Sequence, residues 1–494
     1  MLLLGIDVGT SSIKVSVVDA QTQKTVASAQ YPETESAITT LQPGWAEQSP
    51  DMWWQHVQQA LKTCNQSGKY NPQDIAAIGI AYQMHGLVLV DKDQNLLRDS
   101  IIWCDSRAVE IGEQAFNAIG HDKCLSHLLN SPGNFTASKL AWVKQNEPEV
   151  YAKIDKIMLP GDYIAMKLSG EITTSVSALS EGVFFDFVNN TISKDIINHY
   201  GFSESFFPPI QPVFSNHGGV LPSVAQQLGL KAGIPIAYKA GDQPNNALSL
   251  NVLNPGEVAA TAGTSGVIYG VSDELTYDPQ SRVNTFAHVN YTEQQKSLGV
   301  LLCINGTGSL YRWTKNLFGA AVSYQQMNSE AAKIPLGSDG LRILPFGNGA
   351  ERMLNNELIG VHFHHIDLNL HTQAHIFRAV QEGIASAFRY GVDIMRENGM
   401  NPTVIRAGKA NLFLSNLFAQ TFVNATGIPV ELYNNDGSVG AALGAGIGAG
   451  IFASPQEAFR QMQPLQLIEP NNDAFEPVYQ EWKGLLLKQL SISE

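Results

Sequence analysis

One short unit occurs twice in this chain, near its start and again just past its midpoint: a strand, a Gly-Thr-Ser turn and a second strand. The first copy centres on Gly9-Thr10-Ser11 and the second on Gly263-Thr264-Ser265. At 494 residues the chain is also too long for one ordinary domain. The repeat therefore predicts two similar lobes facing each other, residues 1–253 and 254–494, which meet at the turn-rich stretch Leu253–Gly256.

The first lobe opens with short runs of β-type residues that alternate with turns. Leu2–Asp7, Ile13–Asp19 and Thr25–Tyr31 are predicted as three consecutive strands. A helix is expected over Ser49–Thr63, where a serine, a proline and an aspartate form a start signal, and Ile75–Tyr82 is expected to be a buried strand. A three-stranded meander followed by a helix and a strand favours a ribonuclease H-like lobe.

The second half has the same α/β character. Glu257–Ala262 and Val267–Val271 are predicted as strands on either side of the second Gly-Thr-Ser turn. Apolar residues recur at helical spacing over Gln373–Asn398, and Thr403–Ala407 and Leu412–Thr426 are predicted as a further strand and helix. The fold class is therefore predicted to be α/β in both lobes.

Charge and cysteine content limit the partners. A formal charge of -14 argues against duplex nucleic acid or an anionic membrane, which need a cationic surface, but it does not exclude a nucleotide. The four cysteines include no Cys-x-x-Cys pair, so reduced thiols in a cytoplasm are expected. The N-terminus lacks a basic leader, and we expect neither a signal peptide nor a membrane span.

Two aspartates stand out because each follows an apolar strand. A carboxylate at Asp7 is costly unless it meets a cation, and Mg²⁺ would satisfy it. Asp242 ends the strand-like run Ile234–Asp242 and precedes a predicted helix start, so an ordinary N-cap is one interpretation. The other is a carboxylate that accepts the proton of an alcohol attacking a γ-phosphate.

Two further patterns are ambiguous when read locally. A Gly-Thr-Ser turn can hold an oxyanion through backbone N–H groups and hydroxyls, but most such turns only connect strands. The tetrad Gln83–Gly86 interrupts a predicted strand pair, Ile78–Tyr82 and Leu87–Asp91, and is unusual for a plain hairpin. A packed histidine and a core methionine are the ordinary alternative.

Several sequence blocks, taken in order, resemble the FGGY carbohydrate kinases from Gly5 to about Gly450. The ordered set is much more specific than any single block. The blocks are Gly44–Gln48, Trp53-Trp54, Gln83–Gly86, Trp103–Asp105, Phe135–Trp142, Lys156–Tyr163, Gly241-Asp242 and Gly263–Gly266.

This resemblance implies two ribonuclease H-like lobes of the actin and heat-shock chaperone ATPase type, with the active site in the cleft between them. It implies that ATP is the phosphoryl donor, that Asp242 is the catalytic base and that Asp7 positions Mg²⁺. Met84 and His85 are the implied ketose contacts, as in the branch of the family that phosphorylates D-xylulose. Glycerol kinases carry an Arg-Glu pair at that place.

The resemblance also implies further contacts in both lobes. Near the sugar it implies Gln83, Trp103, Asp105 and Gln243, and near the nucleotide it implies Thr10, Ser11, Lys14, Gly263, Thr264, Gly308 and Gly408. Two positions depart from the family pattern. Gln243 replaces the asparagine common in the D-xylulose branch, and Ala407-Gly408-Lys409 replaces a run of two or three glycines.

The expected reaction is phosphorylation of D-xylulose to D-xylulose 5-phosphate, a step of pentose catabolism, with a small ketose and ATP as ligands. Ribulose, gluconate and glycerol remain alternative acceptors, and a non-catalytic actin-like ATPase-fold protein is the alternative from another class. Because members of this family are often dimers, a homodimer is a further expectation of the resemblance.

Overall fold

The computed structural model describes residues 1–319, 322–471 and 473–493. Two mixed β-sheets form the centres of two lobes, one with five strands and one with seven. Every strand of the five-stranded sheet precedes residue 253 and every strand of the seven-stranded sheet follows it.

The first half contains eleven strands and ten α-helices within its described residues. Its strands are β1 Leu2–Val8, β2 Ile13–Asp19, β3 Thr25–Tyr31, β4 Glu47–Gln48, β5 Ile75–Tyr82, β6 Val88–Val90, β7 Ser100–Ile101, β8 Lys156–Met158, β9 Phe185–Asp186, β10 Thr191–Ile192 and β11 Ile236–Gly241. Its helices are α1 Pro50–Gln66, α2 Val109–Ile119, α3 His121–Leu128, α4 Thr136–Asn146, α5 Pro148–Tyr151, α6 Pro160–Ser169, α7 Val176–Glu181, α8 Lys194–Tyr200, α9 Pro222–Leu228 and α10 Asp242–Ser249.

The described part of the second half contains nine strands and seven α-helices. Its strands are β12 Glu257–Ala262, β13 Gly266–Ser272, β14 Asn284–Ala287, β15 Leu298–Ile304, β16 Arg342–Phe346, β17 Gly360–His364, β18 Val404–Gly408, β19 Val430–Tyr433 and β20 Gln466–Ile468. Its helices are α11 Gly308–Leu317, α12 Tyr324–Ala331, α13 Gln373–Glu397, α14 Asn416–Thr426, α15 Gly437–Gly448, α16 Pro455–Ala458 and α17 Phe475–Ser493.

The two sheets share the same core arrangement. In the first, the strand order is β11-β5-β1-β2-β3, with β1, β2 and β3 antiparallel and β5 and β11 parallel to β1. In the second, β12, β13 and β15 form the antiparallel meander, and β18 and β19 add in parallel beside β12. The predicted meander, helix and strand order of a ribonuclease H-like lobe is confirmed.

Two details of the predicted elements were wrong. Leu412–Thr426 is not one helix, because a 3-10 turn at Asn411–Leu414 precedes α14, whose N-cap is Ser415. The strands around Gln83–Gly86 do not form a hairpin within the described chain, since β5 pairs with β1 and β11 whereas β6 pairs with β8.

One helix of the second half packs on the sheet of the first. A Cβ added to Gly5 would lie 1.7 Å from the Ser438 carbonyl oxygen, and one added to Gly79 would lie 1.9 Å from that of Ala441. These glycines of β1 and β5 let α15 approach the strands closely. The chain after residue 253 therefore contributes to both lobes. Within the described residues, no helix is long and apolar enough to cross a membrane.

Candidate active site

The two singled-out aspartates lie at neighbouring strand ends. Asp7 is level with Ala81 of β5, and Asp242 follows Gly241, which is level with Tyr82. Because β1, β5 and β11 are parallel, their carboxyl ends meet at one edge of the sheet, with β5 between the two aspartates. Both side chains are half-buried there.

Their electrostatics show that they share one pocket. Burial raises the pKa of Asp242 to about 7, and the negative charge of Asp7 raises it further. Burial also raises the pKa of Asp7 to about 6, with Asp436 adding to the rise and Lys14 opposing it. Two poorly solvated carboxylates form a site that favours a cation and can accept a proton near neutral pH.

The donor set fits Mg²⁺. This ion is usually held by one or two carboxylates together with waters and phosphate oxygens, rather than by a complete protein cage. The described residues contain no cluster of three or more His, Cys, Asp or Glu side chains suited to a metal. The Oδ2 atom of Asp7 lies against Gly437, only 2.4 Å from where a Cβ of that residue would stand.

Lys14 is tied to the second half of the chain. Its Nζ forms an ion pair with the Asp436 carboxylate, which also accepts hydrogen bonds from the Ser438 backbone N–H and hydroxyl. The Ser438 hydroxyl oxygen in turn accepts from the Ser16 hydroxyl of β2, with 2.8 Å between the two oxygens. This network fixes the start of α15 beside the first Gly-Thr-Ser turn.

That turn is linked to the predicted sugar-side residues. The Thr10 hydroxyl donates to Gln83 Oε1 at 3.1 Å and accepts from Trp103 Nε1 at 2.9 Å. Gln48, the last residue of the block Gly44–Gln48, accepts from Gln83 and donates to the Thr10 carbonyl oxygen. Ser11 is exposed at the turn. The network joins phosphate-side and sugar-side candidates in one polar wall.

Met84 lies at the end of the strand that leads to Asp242, and the Nδ1 of His85 lies 3.9 Å from a Glu181 carboxylate oxygen. A Cβ added to Gly241 would stand 2.6 Å from Met84 Cγ, so the methionine packs under the strand end that carries Asp242. The His85 backbone is left-handed, with φ 64°, and its ring packs against Phe135 with 4.9 Å between ring centroids. Burial lowers the pKa of His85 to about 3, so its imidazole is neutral.

Glu181 is a site residue that sequence reasoning missed. It ends α7, is buried, and accepts a 2.7 Å hydrogen bond from the Tyr82 hydroxyl. Burial raises its pKa well above the ordinary value, and the charge of Asp242 adds to the rise. An acid between small residues and the apolar run Val183–Phe185 was the only available signal.

Asp105 occupies a different environment from the one expected. Its carboxylate forms a bidentate pair with Arg107 and accepts from the Ala46 backbone N–H at 2.6 Å. Asp105 is 1% exposed, so its carboxylate oxygens are bound by these protein groups. Asp105 thus holds the chain beside the half-exposed Trp103, and its contact with a sugar stays a prediction. Gln243, by contrast, adjoins Asp242, and its backbone and side chain both act to lower the pKa of that carboxylate.

The second Gly-Thr-Ser turn lines a cavity of about 350 Å³. Gly263, Thr264 and Gly308 form one wall, and the Gly308 N–H donates to the Gly263 carbonyl oxygen at 2.9 Å. A Cβ at Gly308 would lie 2.2 Å from that oxygen, so only glycine fits. The remaining lining residues, not predicted from sequence, are Ala262, Tyr311, Arg312, Tyr324, Asn328, Asn411, Leu412, Leu414 and Ser415.

Gly408 is placed outside that lining set. It ends β18, level with Tyr433, and is followed by the short stretch that leads to Asn411. Asn411 faces the cavity and has a left-handed backbone, with φ 52°. In this chain the loop thus presents an asparagine to the cavity rather than the glycine singled out from the sequence.

Comparison with known proteins identifies the family of this chain. The family model described as "FGGY family of carbohydrate kinases, N-terminal domain" matches residues 2–249, and the corresponding C-terminal model matches residues 258–451. The chain belongs to the FGGY family of carbohydrate kinases. It is therefore an enzyme of the carbohydrate kinase type, which uses ATP.

Individual FGGY relatives match over nearly their whole length. The chain is 28% identical to the xylulose kinase of Escherichia coli strain K12, covering 98% of this chain and 100% of that protein. It is 30% identical to the xylulose kinase of Bacillus subtilis strain 168, and the match covers 93% of this chain and 90% of that protein. The crystal structure of xylulose kinase from Rhodospirillum rubrum superposes with a TM-score of 0.89 at 25% identity, covering 99% of both chains.

Proposed function

We propose that this FGGY kinase transfers the γ-phosphoryl group of ATP to D-xylulose, giving D-xylulose 5-phosphate and ADP. The observation that carries the proposal is the shared pocket of Asp7 and Asp242, with Met84 and His85 packed beside it. Full-length similarity to proteins named xylulose kinase supports the choice of sugar.

Asp242 is proposed as the base. A pKa of about 7 leaves a large fraction of its carboxylate ready to accept the alcohol proton at neutral pH. Phosphoryl transfer proceeds through a loose transition state, so holding the hydroxyl in line with the γ-phosphate matters more than base strength. The polar groups of Gln243 favour the ionised form of this carboxylate, which is the form that acts as a base.

The two Gly-Thr-Ser turns are proposed to hold the phosphates. Backbone N–H groups and hydroxyls of Thr10, Ser11 and Thr264 suit phosphate oxygens. Asp7 would hold Mg²⁺, which supplies charge neutralisation for the triphosphate. The cavity lined by Gly308 and Arg312 is proposed for the adenine ring and ribose.

His85 and Met84 are proposed to contact the ketose. A neutral imidazole can donate or accept a hydrogen bond without placing a charge against an uncharged sugar. Gln243, in place of the asparagine common among D-xylulose kinases, keeps ribulose, gluconate and glycerol as the competing acceptors. We propose a cytoplasmic location, where ATP is available, and a homodimer that light scattering would detect.

A coupled assay of ADP release tests the proposal. D-Xylulose should give the highest kcat/KM in a panel with ribulose, gluconate and glycerol, and a higher value for another acceptor would reassign the sugar. Asp242→Ala should retain nucleotide binding while turnover falls by about 10²–10⁴-fold, the usual contribution of a general base. Unchanged behaviour of that variant would favour a non-catalytic ATPase-fold protein.

A further inference from the structure

Arg352, in the second half of the chain, faces the proposed sugar pocket of the first. It begins a 3-10 turn, Arg352–Leu354, and its guanidinium carbon lies 5.9 Å from the centroid of the Phe135 ring. The same ring packs against His85, with 4.9 Å between centroids. Arg352 therefore reaches the side of the cleft where His85 lies.

The charge of Arg352 is not neutralised by the protein. Among the described residues, no Asp or Glu oxygen lies within ion-pair distance of its guanidinium, and its one side-chain hydrogen bond is a long one, 3.4 Å, to the Ser281 carbonyl oxygen. The other buried or half-buried arginines of the described chain all pair with carboxylates: Arg98, Arg107, Arg282, Arg342, Arg378, Arg389 and Arg406.

The neighbouring acid does not compensate it. Both oxygens of Glu351 accept from the Asn305 backbone N–H, at 2.9 and 3.0 Å. Glu351 therefore anchors the turn, and Arg352 projects from it. Leaving a poorly solvated cation without an anion is costly, so the arrangement favours a ligand that supplies acceptors.

Two titrating neighbours locate the guanidinium relative to the reacting groups. Burial, followed by the charge of Lys139, lowers the pKa of His85, and Arg352 adds to that effect. Burial raises the pKa of Cys303 to about 11, with Arg352 opposing the rise and Asp242 adding to it. Cys303 is thus within electrostatic range of both Arg352 and Asp242.

We propose that Arg352 donates hydrogen bonds from its guanidinium to oxygen atoms of the bound sugar, making the second lobe part of the sugar site. The proposal rests on the proposed sugar kinase function. A planar fork of five donors matches neighbouring hydroxyl and carbonyl oxygens, and an arginine stays charged even where solvent is scarce. Sugar bound in this way contacts both lobes, so occupancy favours closure of the cleft.

The test compares Arg352→Gln and Arg352→Lys with Arg460→Gln, which changes an exposed arginine near the C-terminal end of the second half. KM for D-xylulose should rise at least about tenfold in Arg352→Gln, the effect of losing one or two hydrogen bonds from a charged donor. Arg352→Lys, which keeps the charge but not the fork, should lie between that variant and the wild type. KM for ATP and the thermal midpoint should remain close to wild type, and Arg460→Gln should match wild type throughout.

An unchanged KM for D-xylulose in Arg352→Gln would overturn the proposal. An equal rise in the KM values for ATP and sugar, or a lowered thermal midpoint that Arg352→Lys restores without restoring the sugar KM, would assign Arg352 to structure instead. Failure of the proposed function has a different signature, because the wild-type protein itself would then prefer another acceptor. Arg352 would be assayed with that acceptor, under the same criteria.

Discussion

Replacing Asp242 by asparagine should abolish turnover and at the same time stabilise the folded protein at neutral and higher pH. The two effects have one cause, the poorly solvated carboxylate beside Asp7. In the unfolded chain Asp242 ionises near its ordinary pKa of 3.8, whereas in the folded protein it keeps its proton until about pH 7. Stability is therefore lost as pH rises between these values and stays lost above them.

The size of the effect follows from that interval. A rise from 3.8 to about 7 is roughly three pH units, or about 4 kcal/mol as an upper limit. Solvent in the cleft and relaxation around a half-buried group reduce this to about 1–2 kcal/mol. Asparagine is isosteric and uncharged, so Asp242→Asn escapes the penalty at every pH. Its advantage over wild type should be roughly 40% of the full value at pH 5, since the unfolded chain ionises at 3.8, and should approach the full value at pH 8.

Urea unfolding of the nucleotide-free protein at pH 5, 6, 7 and 8 measures this advantage as a difference in midpoint, provided the slopes agree. Asp195→Asn is a matched control, since that exposed aspartate pairs with Lys123 at the surface. The reasoning is refuted if Asp242→Asn is no more stable than wild type at pH 8, or if its advantage does not change with pH.

Three further outcomes are expected. The kcat/KM for the sugar should rise with pH and level off above about 7, because Asp242 must lose its proton to act as a base; a profile that falls between pH 6 and 8 would exclude it. Gly308→Ala should raise the KM for ATP about tenfold or more and leave the sugar KM unchanged, because the new Cβ would meet the Gly263 carbonyl oxygen at 2.2 Å. Gly437→Ala should raise the Mg²⁺ concentration needed for half-maximal rate, since its Cβ would stand 2.4 Å from Asp7 Oδ2; an unchanged requirement would remove Asp7 from the metal site.

The sheets were predictable because their determinants are local. Leu2–Asp7, Ile13–Asp19 and Ile75–Tyr82 are bounded by turn residues and carry β-branched or apolar side chains, and the observed strands agree to within a residue. The positions of Asp7 and Asp242 followed from the same signal, an acid directly after an apolar strand. Parallel pairing through β5 then brings the two together.

Other parts of the site depend on contacts between distant segments. Glu181 becomes a neighbour of Asp242 only after α7 packs beside β11, and the pair that buries Asp105 with Arg107 likewise forms only in the fold. No local pattern distinguishes Arg352 from an ordinary surface arginine, since what sets it apart is a carboxylate that is missing from its surroundings. The roles of such residues can be recognised only from the folded structure.

The geometry also links the chemistry to the relative position of the lobes. Helix α10 starts at Asp242 and packs toward β12 and β13 of the second sheet, while α15 returns from the second half to the first sheet. The two helices touch, because a Cβ at Gly440 would lie 2.4 Å from that of Ser249, and Asn245 donates to the Gly437 carbonyl oxygen at 2.9 Å. The N-terminal ends of both helices point to the pocket that holds Asp7.

Any rotation of one lobe against the other must move these helices, and with them the base relative to the phosphate turns. A cleft that closes only around both ligands would thus align Asp242 with an alcohol and exclude water as the alternative acceptor.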